Sequence, residues 1–449
     1  MTRIGIRDEL LSGQTLRAMG SAPYGGADIG ECLAAARRAG GADPGRWHDA
    51  WTAAALAASE LAEHELAAGR DETARLAFWR ASSYYRTAGC LLLGAPPDPR
   101  LIRSNVRQTE AFRRGAALLA QPPELVQIPY EGTALPGYFF RAAPGPEPRA
   151  TAIVLGGYDS TAEEMYFSAG AAALARGYHV LAFDGPGQGA ALLQQGLPMR
   201  PDWEAVITPV VDCLLTRPEV DAARIALIGL SLGAYLAPRA ASAEHRLGAV
   251  IADCGSYDLY DAAIDRLPGP LAAGLADAAA GQPSRRTAML SGLLGLLERR
   301  PTAGWALRRG QLVHGVSGPL EYLLALRDYT LAGRAGSITC PTLVVNAEGD
   351  AISASAPRLA AALTCESELI TFTAAEGAGD HCEAGARTLF NARALGWLDA
   401  VLQPAPPSAA QASGTQASGA QASGAQASGT QASGAPDRPA AASRRDATR

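Results

Sequence analysis

Short apolar runs alternate with helical stretches through the second part of the chain. The first two runs, residues 125–132 and 135–142, predict an opening hairpin or meander. Further runs end in or near Gly, Asp or Ser, with Ala-rich helical segments between most of them, and they span residues 151–158, 179–187, 224–231, 247–255, 341–350 and 368–377. This alternation predicts a mostly parallel sheet with helices on both faces.

The remainder of the chain has other patterns. Residues 1–122 are rich in Ala, Leu, Glu and Arg, with apolar positions at helical spacing and a Gly-Arg-Asp break at 69–71. A Pro pair at 122–123 marks the expected boundary with an α/β domain over 123–404. Strand patterns stop between 258 and 335, where a helical insertion is expected. An insertion of this kind often covers a functional site.

The end of the chain is low in complexity. From 405 to 449 the sequence is rich in Pro, Ala, Ser and Gly, and QASG repeats between 411 and 434. The repeat contains no large apolar residue, which excludes a solenoid. We expect a disordered tail that takes no part in the fold.

Composition excludes several classes of function. The 449 residues carry a net charge of −5 without a Lys/Arg cluster, which argues against a nucleic-acid partner. No apolar stretch of about 20 residues predicts a membrane helix, and the N-terminus lacks the apolar core of a signal peptide. The seven cysteines are odd in number and form no C-x-x-C pair, so neither a disulfide framework nor a zinc site is expected. These features predict a soluble cytoplasmic protein with free thiols.

A serine stands in the sequence IGLSLGAY at 228–235. A β run leads into G-x-S-x-G and a helical pattern follows, which is the context of a nucleophile elbow. Gly229 and Gly233 allow the strand and the helix to pass closely, and Ser231 is left exposed above the sheet. The pattern predicts that Ser231 is a nucleophile; the alternative is a turn of small residues with an incidental serine.

A nucleophilic serine needs a base, and in this context the acid and the histidine follow it in that order. Of the three histidines after Ser231, His245 lies too near the elbow and His314 falls in the insertion. His381 follows the last β run and is the predicted base. Asp350 ends the preceding β run and is the predicted acid, and Glu348 is the alternative.

Asp380 abuts His381 but could not easily reach its ring. Acyl chemistry also needs two amide donors for an oxyanion. Gly156 and Gly157 let the loop after 151–155 approach the site, so the amides of Tyr158 and Leu232 are the expected donors.

Several segments together resemble one branch of the α/β-hydrolase superfamily. They are GGYDSTAEEMYF, RGYHVLAFDGPGQGAAL, MRPDWEAVITPVVD, IGLSLGAYLAPRAA and EGAGDHCEAG. The branch includes the carbon–carbon hydrolase 2,6-dihydroxypseudooxynicotine hydrolase and fungal hydrolases that shorten polyketide chains, with FrsA-like esterases as relatives. The resemblance covers roughly residues 45–400. It implies an α/β-hydrolase fold in which the N-terminal helices form a cap over the site.

The resemblance also implies a chemistry. The family's triad falls on Ser231, Asp350 and His381, and its oxyanion donors fall on Tyr158 and Leu232. The implied reaction is hydrolysis of a C–C bond next to a carbonyl, in a β-dicarbonyl, polyketide-like or aromatic acyl substrate. One departure is Ala234, where many relatives have a second glycine after the elbow.

Other enzyme classes remain open at this stage. A carboxylesterase or peptidase would use the same residues, and so would an acyltransferase or cyclase. A non-catalytic binding protein on the same scaffold is the alternative outside enzymes. The resemblance admits a homodimer, and the expected partner is a small-molecule substrate. No metal or organic cofactor is expected, because the mechanism needs none.

Substrate contacts are harder to assign. Some relatives use a further carboxylate, for which Asp253 and Asp258 are the options here. Gly157 and Tyr85 are two further expected contacts, although the aromatic positions around Tyr85 suit helix packing equally well. DGPGQG at 184–189 is glycine-rich like a phosphate-binding loop, but it lacks both G-x-G-x-x-G and the Walker lysine.

Overall fold

A single eight-stranded sheet organises the second part of the chain. The structure is a computed structural model that describes residues 4–282, 284–302 and 304–403, so the predicted tail from 405 lies outside the described residues. The strands are β1 (Glu124–Tyr130), β2 (Thr133–Phe140), β3 (Arg149–Leu155), β4 (His179–Phe183), β5 (Val220–Leu230), β6 (Ala249–Asp253), β7 (Thr342–Ala347) and β8 (Ser367–Phe372). Each falls on one of the predicted runs, and the α/β-hydrolase fold class is confirmed.

The strand order is β1-β2-β4-β3-β5-β6-β7-β8. β1 and β2 form a hairpin whose turn residues, Glu131 and Gly132, both have positive φ, at 39° and 81°. β2 pairs antiparallel with β4, and every pair from β4 onward to β8 is parallel. Because the carboxyl ends of parallel strands meet at one edge, the loops that follow β3, β5, β7 and β8 come together there.

Five helices precede the sheet. They are α1 (Glu9–Met19), α2 (Ile29–Ala39), α3 (Pro44–Ala67), α4 (Asp71–Gly89) and α5 (Pro99–Ala116). Asp8, Asp28, Asp43 and Asp98 accept hydrogen bonds from first-turn amides and so begin four of these helices. The break expected at 69–71 separates α3 from α4, and Gly69 takes a φ of 71° there.

The later helices lie between or after the strands. Those outside the insertion are α6 (Ala162–Met165), α7 (Ala171–Leu174), α8 (Gly189–Leu193), α9 (Glu204–Leu215), α10 (Gly233–Ala241), α16 (Ala356–Ala362) and α17 (Arg387–Leu402). Between β6 and β7 the chain forms α11 (Leu259–Ile264), α12 (Gly269–Ala279), α13 (Arg285–Glu298), α14 (Trp305–His314) and α15 (Pro319–Ala325). The stretch expected to be a helical insertion is therefore helical.

Aromatic packing joins the N-terminal helices to the sheet. Trp79 of α4 and Phe112 of α5 belong to the same buried cluster as Tyr138 and Phe140 of β2 and Tyr166. The ring centroids of Phe112 and Tyr138 lie 5.0 Å apart, and those of Phe140 and Tyr166 lie 4.7 Å apart. The helical region thus shares a core with the sheet.

The insertion also contacts the N-terminal helices. Trp305 begins α14, and its indole Nε1 donates a 2.7 Å hydrogen bond to the backbone oxygen of Cys90, just after α4. Trp305 and Leu312 pack into the same buried cluster as Trp47 and Tyr84. Within the residues that the structure describes, no helix has both the length and the apolar character needed to cross a membrane.

Candidate active site

Ser231 occupies a sharp turn between β5 and α10. Its φ is 62°, a left-handed conformation that costs a residue with a Cβ roughly 1–3 kcal/mol. Gly229 and Gly233 make this turn possible, because a Cβ on Gly229 would lie 2.0 Å from the backbone oxygen of Gly233. The Ser231 amide donates to the backbone oxygen of Asp253 at 3.0 Å. The local geometry is that of a strand–turn–helix elbow.

The predicted base and acid lie next to this serine. His381 follows β8, and its Nε2 is 2.9 Å from Ser231 Oγ. Its Nδ1 is 2.7 Å from Asp350 Oδ2, on the turn after β7. The amide of Ile352 donates to the other carboxylate oxygen of Asp350 at 2.9 Å, which fixes the carboxylate. The structure thus brings the three predicted residues into one hydrogen-bonded chain.

Burial differs between the acid and the base. The Asp350 side chain is 5% exposed, whereas that of His381 is 39% exposed. Burial alone would raise the pKa of the Asp350 carboxyl, but the hydrogen bond and the charge of His381 outweigh burial and lower it. An ionised Asp350 accepts from Nδ1–H and leaves Nε2 of His381 free to accept the serine proton.

The loop after β3 approaches the serine closely. A Cβ on Gly157 would lie 2.8 Å from the Leu232 nitrogen and 2.9 Å from Ser231 Oγ, so only glycine fits there without displacing its neighbours. Among the described residues, the amides of Tyr158 and Leu232 have no hydrogen-bond acceptor. Both predicted donors are therefore available to an oxyanion.

The sequence DGPGQG holds this loop in place. Gln188 Nε2 donates to the backbone oxygen of Gly156 at 2.7 Å, and its Oε1 accepts from the amide of Gly185. Asp184 accepts from the amides of Ala162 and Ala190, at 2.7 Å each. The glycine-rich segment is thus engaged in supporting the site.

Two thiols that the sequence analysis did not single out lie against the predicted base. Cys254 Sγ is 3.4 Å from His381 Nδ1 and 3.5 Å from Cys382 Sγ, which is itself 3.6 Å from His381 Nε2. The hydrogen bond from Cys254 and the charge of His381 lower the pKa of Cys382 to about 7. The adjacency of Cys382 to the predicted base was the one available signal.

These thiols change the electrostatics of the base. Burial alone would lower the pKa of His381, but the negative charge of the Cys382 thiolate and the hydrogen bond with Asp350 outweigh burial and raise that pKa well above its ordinary value. By contrast, burial raises the pKa of Cys254, which stays a neutral thiol. His381 and Cys382 therefore titrate as a coupled pair.

The same atoms are a possible metal-ligand set. Donor atoms of Cys254, His381 and Cys382 all lie within 4.8 Å of one another. Both ring nitrogens of His381 already face partners, Ser231 and Asp350. A metal ion would have to displace one of those partners, so the arrangement suits a hydrogen-bonded base better than a resident metal.

A cavity of about 280 Å³ opens beside Ser231. One wall consists of α1, including Gln14 and Arg17, and another consists of Trp305 and Arg309 of α14. The turns that carry Asp350 and His381 complete it. A cavity of this kind can hold a small molecule against the serine.

Other residues singled out in the sequence lie elsewhere. The Asp258 side chain caps α11 by accepting from the Asp261 amide at 2.8 Å. Tyr85 lines a smaller cavity of about 50 Å³ beside Asp159. In the described part of the chain, the residues lining the catalytic cavity include neither, because one side chain serves a helix cap and the other is packed between helices.

The other acidic residues and histidines considered in the sequence analysis lie in different surroundings. Asp253 pairs with Arg387 at 3.0 Å, and Glu348 accepts from the Ala374 amide at 2.7 Å. His314 contacts the Tyr158 hydroxyl at 3.0 Å, and His245 lies 3.4 Å from Thr339. Asp380 is buried on the cavity wall next to His381.

Family models match most of the chain. A model of the alpha/beta hydrolase family matches residues 152–392, and one described as esterase FrsA-like matches residues 39–257. Hydrolase LUC6 of Fusarium sp. is 35% identical over 412 residues, covering 86% of this chain and 94% of LUC6. The 20-hydroxy-prefusarin hydrolase FUS2 of Gibberella moniliformis is 36% identical over 351 residues, covering 74% of this chain and 80% of FUS2.

Among solved structures, 2,6-dihydroxy-pseudo-oxynicotine hydrolase is similar in fold. It superposes with a TM-score of 0.66 and 23% sequence identity, covering 87% of this chain and 98% of that protein. The matched share of this chain is larger than the region that contains the sheet. The similarity in fold therefore extends over N-terminal helices as well.

Proposed function

Because this chain belongs to the α/β hydrolase family and is a hydrolytic enzyme, we propose that it cleaves a C–C bond next to a carbonyl with Ser231 as nucleophile. The observation that carries the proposal is the pair of contacts made by His381, at 2.9 Å to Ser231 Oγ and 2.7 Å to Asp350. The substrate class is a β-dicarbonyl with a polyketide-like or aromatic acyl group, which the resemblance to carbon–carbon hydrolases supports.

The first half of the reaction forms an acyl-enzyme. Ser231 Oγ attacks the acyl carbon while His381 Nε2 takes its proton, and Asp350 stabilises the resulting imidazolium. The amides of Tyr158 and Leu232 donate to the oxyanion of the tetrahedral intermediate. Collapse breaks the C–C bond, and its electron pair leaves as an enolate stabilised by the second carbonyl.

The second half regenerates the enzyme. His381 gives its proton to the leaving carbanion, so the first product is a ketone. A water molecule then attacks the acyl-enzyme with His381 again as base, and the second product is a carboxylic acid. The net reaction consumes one water for each C–C bond cleaved.

Ester hydrolysis is the second candidate. The model described as esterase FrsA-like matches residues 39–257, and the same nucleophile and amides would serve an alkoxide leaving group. Since an enolate and an alkoxide leave from the same tetrahedral intermediate, the residues alone do not separate the two bonds. A comparison of substrates distinguishes C–C bond hydrolysis from ester hydrolysis.

The first test identifies the nucleophile. We expect intact-mass analysis after fluorophosphonate treatment to show one adduct on the wild type and none on Ser231→Ala. Ser168→Ala is the matched control, because Ser168 lines the same cavity and its hydroxyl donates to the Glu164 backbone oxygen. An adduct that persists in Ser231→Ala, or is absent from a folded wild type, refutes the assignment.

The second test identifies the bond. Turnover of 1-phenylbutane-1,3-dione is compared with turnover of 4-nitrophenyl butyrate, with ¹⁸O-labelled water as solvent. C–C hydrolysis gives a ketone and an acid that carries one labelled oxygen. Turnover of the ester alone would replace the C–C proposal with the esterase candidate.

A further inference from the structure

The wall of the catalytic cavity carries an unusual number of charges. Arg17, Arg86 and Arg309 surround Asp159 and Glu164, and we refer to these five residues as the arginine cluster. Arg17, Arg309, Asp159 and Glu164 line the cavity that contains Ser231 and His381. Three guanidinium groups face two carboxylates, so the cluster has an excess of one positive charge.

Two of the arginines are fully engaged with the carboxylates. Arg17 donates to Asp159 at 3.0 Å and to Glu164 at 2.6 Å. Arg86 donates to Asp159 at 2.8 Å and to the side-chain oxygen of Gln14 at 2.8 Å. The charges of Arg17, Arg86 and Arg309 lower the pKa of Asp159 despite its burial, so that Asp159 stays ionised. The two carboxylates are therefore neutralised by two arginines.

Arg309 is the third arginine of the cluster, and it donates no hydrogen bond to either carboxylate among the described residues. Its nearest carboxylate contact is Nη1 to Asp159 Oδ1 at 3.6 Å, which is beyond hydrogen-bond distance. Its Nε is buried and has no hydrogen-bond partner among the described residues. An unpaired buried donor on a charged group is costly unless a ligand supplies the acceptor.

Aromatic rings hold this guanidinium in place. It lies 4.2 Å from the ring centroid of Trp305 and 4.8 Å from that of Tyr158. The neighbouring titratable groups add no charge, because burial and Arg309 lower the pKa of His314 to about 4 and burial raises that of Tyr158. Arg309 is thus fixed and positively charged on the cavity wall.

The cavity's other arginine outside the cluster is compensated. Arg387 donates to Asp253 at 3.0 Å and to the backbone oxygen of Cys382 at 2.7 Å, and it lies 3.4 Å from Glu383. Its guanidinium is therefore paired with the Asp253 carboxylate. Among the described arginines that line the cavity, Arg309 is therefore the one without a hydrogen-bonded carboxylate.

We propose that Arg309 binds a carboxylate of the substrate in the cavity that also contains Ser231. The substrate is then an acyl compound that carries a second, ionised acid group. This inference rests on the proposed function, because it takes Ser231 as the site of bond cleavage. The carboxylate restores charge balance in the cluster and pairs with the donors of Arg309 in the planar geometry that guanidinium favours.

The test compares matched pairs of esters. The probes are 4-nitrophenyl half-esters of adipic, suberic and sebacic acid, each paired with the methyl ester of its free acid. For at least one chain length, we expect the wild type to have a higher kcat/KM for the half-ester than for its neutral partner. We expect Arg309→Met to reduce this preference about tenfold or more, chiefly through KM.

Control variants separate a lost contact from a damaged protein. Arg309→Lys keeps the charge but loses the planar donor pair, and it should retain part of the preference. Arg38→Met removes an exposed arginine of α2 and should leave the preference and the activity unchanged. Fluorophosphonate labelling of every variant reports whether Ser231 remains reactive.

The outcomes distinguish the two proposals. Normal labelling with no preference in the wild type, or with a preference that survives in Arg309→Met, overturns the carboxylate site alone. If the wild type is not labelled, the proposed function fails, and calorimetric binding of the half-ester and its methyl ester to Ser231→Ala then decides the carboxylate site. Equal affinity of Ser231→Ala for the two esters, or a preference for the half-ester that persists after Arg309→Met is added, overturns it.

Discussion

The residue that most changes the chemistry of this site is Cys382. Its Sγ lies 3.6 Å from Nε2 of His381, the proposed base, and negative charge on this sulfur favours the protonated form of His381. At the residue scale, the acid limb of the activity profile therefore depends on a side chain that takes no direct part in bond cleavage. This dependence can be measured.

We expect Cys382→Ser to shift the acid limb of kcat/KM for 4-nitrophenyl butyrate to lower pH. Serine carries no charge, so its presence removes a cause that raises the pKa of His381, and the neutral base becomes available at lower pH. Cys365→Ser is the control, because this half-buried thiol contacts Thr342, outside the site. If the acid limb of kcat/KM stays in place or moves to higher pH, Cys382 does not raise the pKa of His381.

A second prediction concerns Gly157. A methyl group there would lie 2.8 Å from the Leu232 nitrogen and 2.9 Å from Ser231 Oγ, so it would obstruct the proposed oxyanion site. We expect Gly157→Ala to reduce kcat about 100-fold or more, as loss of an oxyanion donor does. Gly292→Ala in α13 is the control, since a Cβ there meets nothing within 4 Å. Unchanged kcat in a folded Gly157→Ala would show that the oxyanion is stabilised elsewhere.

Sequence patterns predicted some of these residues and not others. Ser231, Asp350 and His381 each follow a β run, so their meeting at one edge of the sheet follows from strand direction. Cys254 and Cys382 are 128 residues apart, and no spacing between them in the sequence indicates that the folded chain brings their sulfurs within 3.5 Å. Local spacing reports local geometry, and this contact is not local.

At the scale of elements, α14 is attached to the N-terminal helices through Trp305. Its indole donates to the Cys90 backbone oxygen, and the same helix carries Arg309 into the cavity. The strands were predictable as elements because each is a short apolar run between turn residues. The contact of α14 with the segment just after α4 could not be predicted from the sequence. Helical periodicity shows which face of a helix is apolar but not which element packs against that face.

We expect Trp305→Phe to lower the free energy of unfolding by about 1–3 kcal/mol more than Trp203→Phe does, in urea denaturation. Both substitutions shrink a buried ring, but Trp305 Nε1 has a partner, whereas Trp203 Nε1 has none among the described residues. The difference therefore isolates the bond to Cys90. Equal losses would mean that the bond contributes no net stability.

At the scale of the whole molecule, the helical region and the sheet share one aromatic cluster. Phe112 of α5 is fully buried against Tyr138, Phe140, Tyr166 and Phe167. The sequence boundary at 122–123 suggested two parts that meet at a linker. One buried cluster crosses that boundary and contains side chains from both parts, which pattern analysis of either part alone does not show.

We expect a single calorimetric unfolding transition for residues 4–403 as a consequence of this shared core. Phe112→Ala should lower that transition as a whole, since it costs about 3–5 kcal/mol in contacts made by both parts. Exposed Val106→Ala, also in α5, is the control and should leave the transition nearly unchanged. Two separate transitions, with only one shifted by Phe112→Ala, would contradict the shared core.

The origin of the cavity walls bears on how the enzyme can diverge. The three proposed catalytic residues lie on turns that follow β5, β7 and β8, whereas α1 and α14 supply much of the wall of the cavity beside them. Mutations in these two helices can therefore change what is accepted while the inherited chemistry stays intact. In a lineage of such enzymes, preference would drift fastest at positions such as Gln14 and Arg309 and slowest around Ser231. Substrate specificity and catalytic reactivity would thus evolve at different rates.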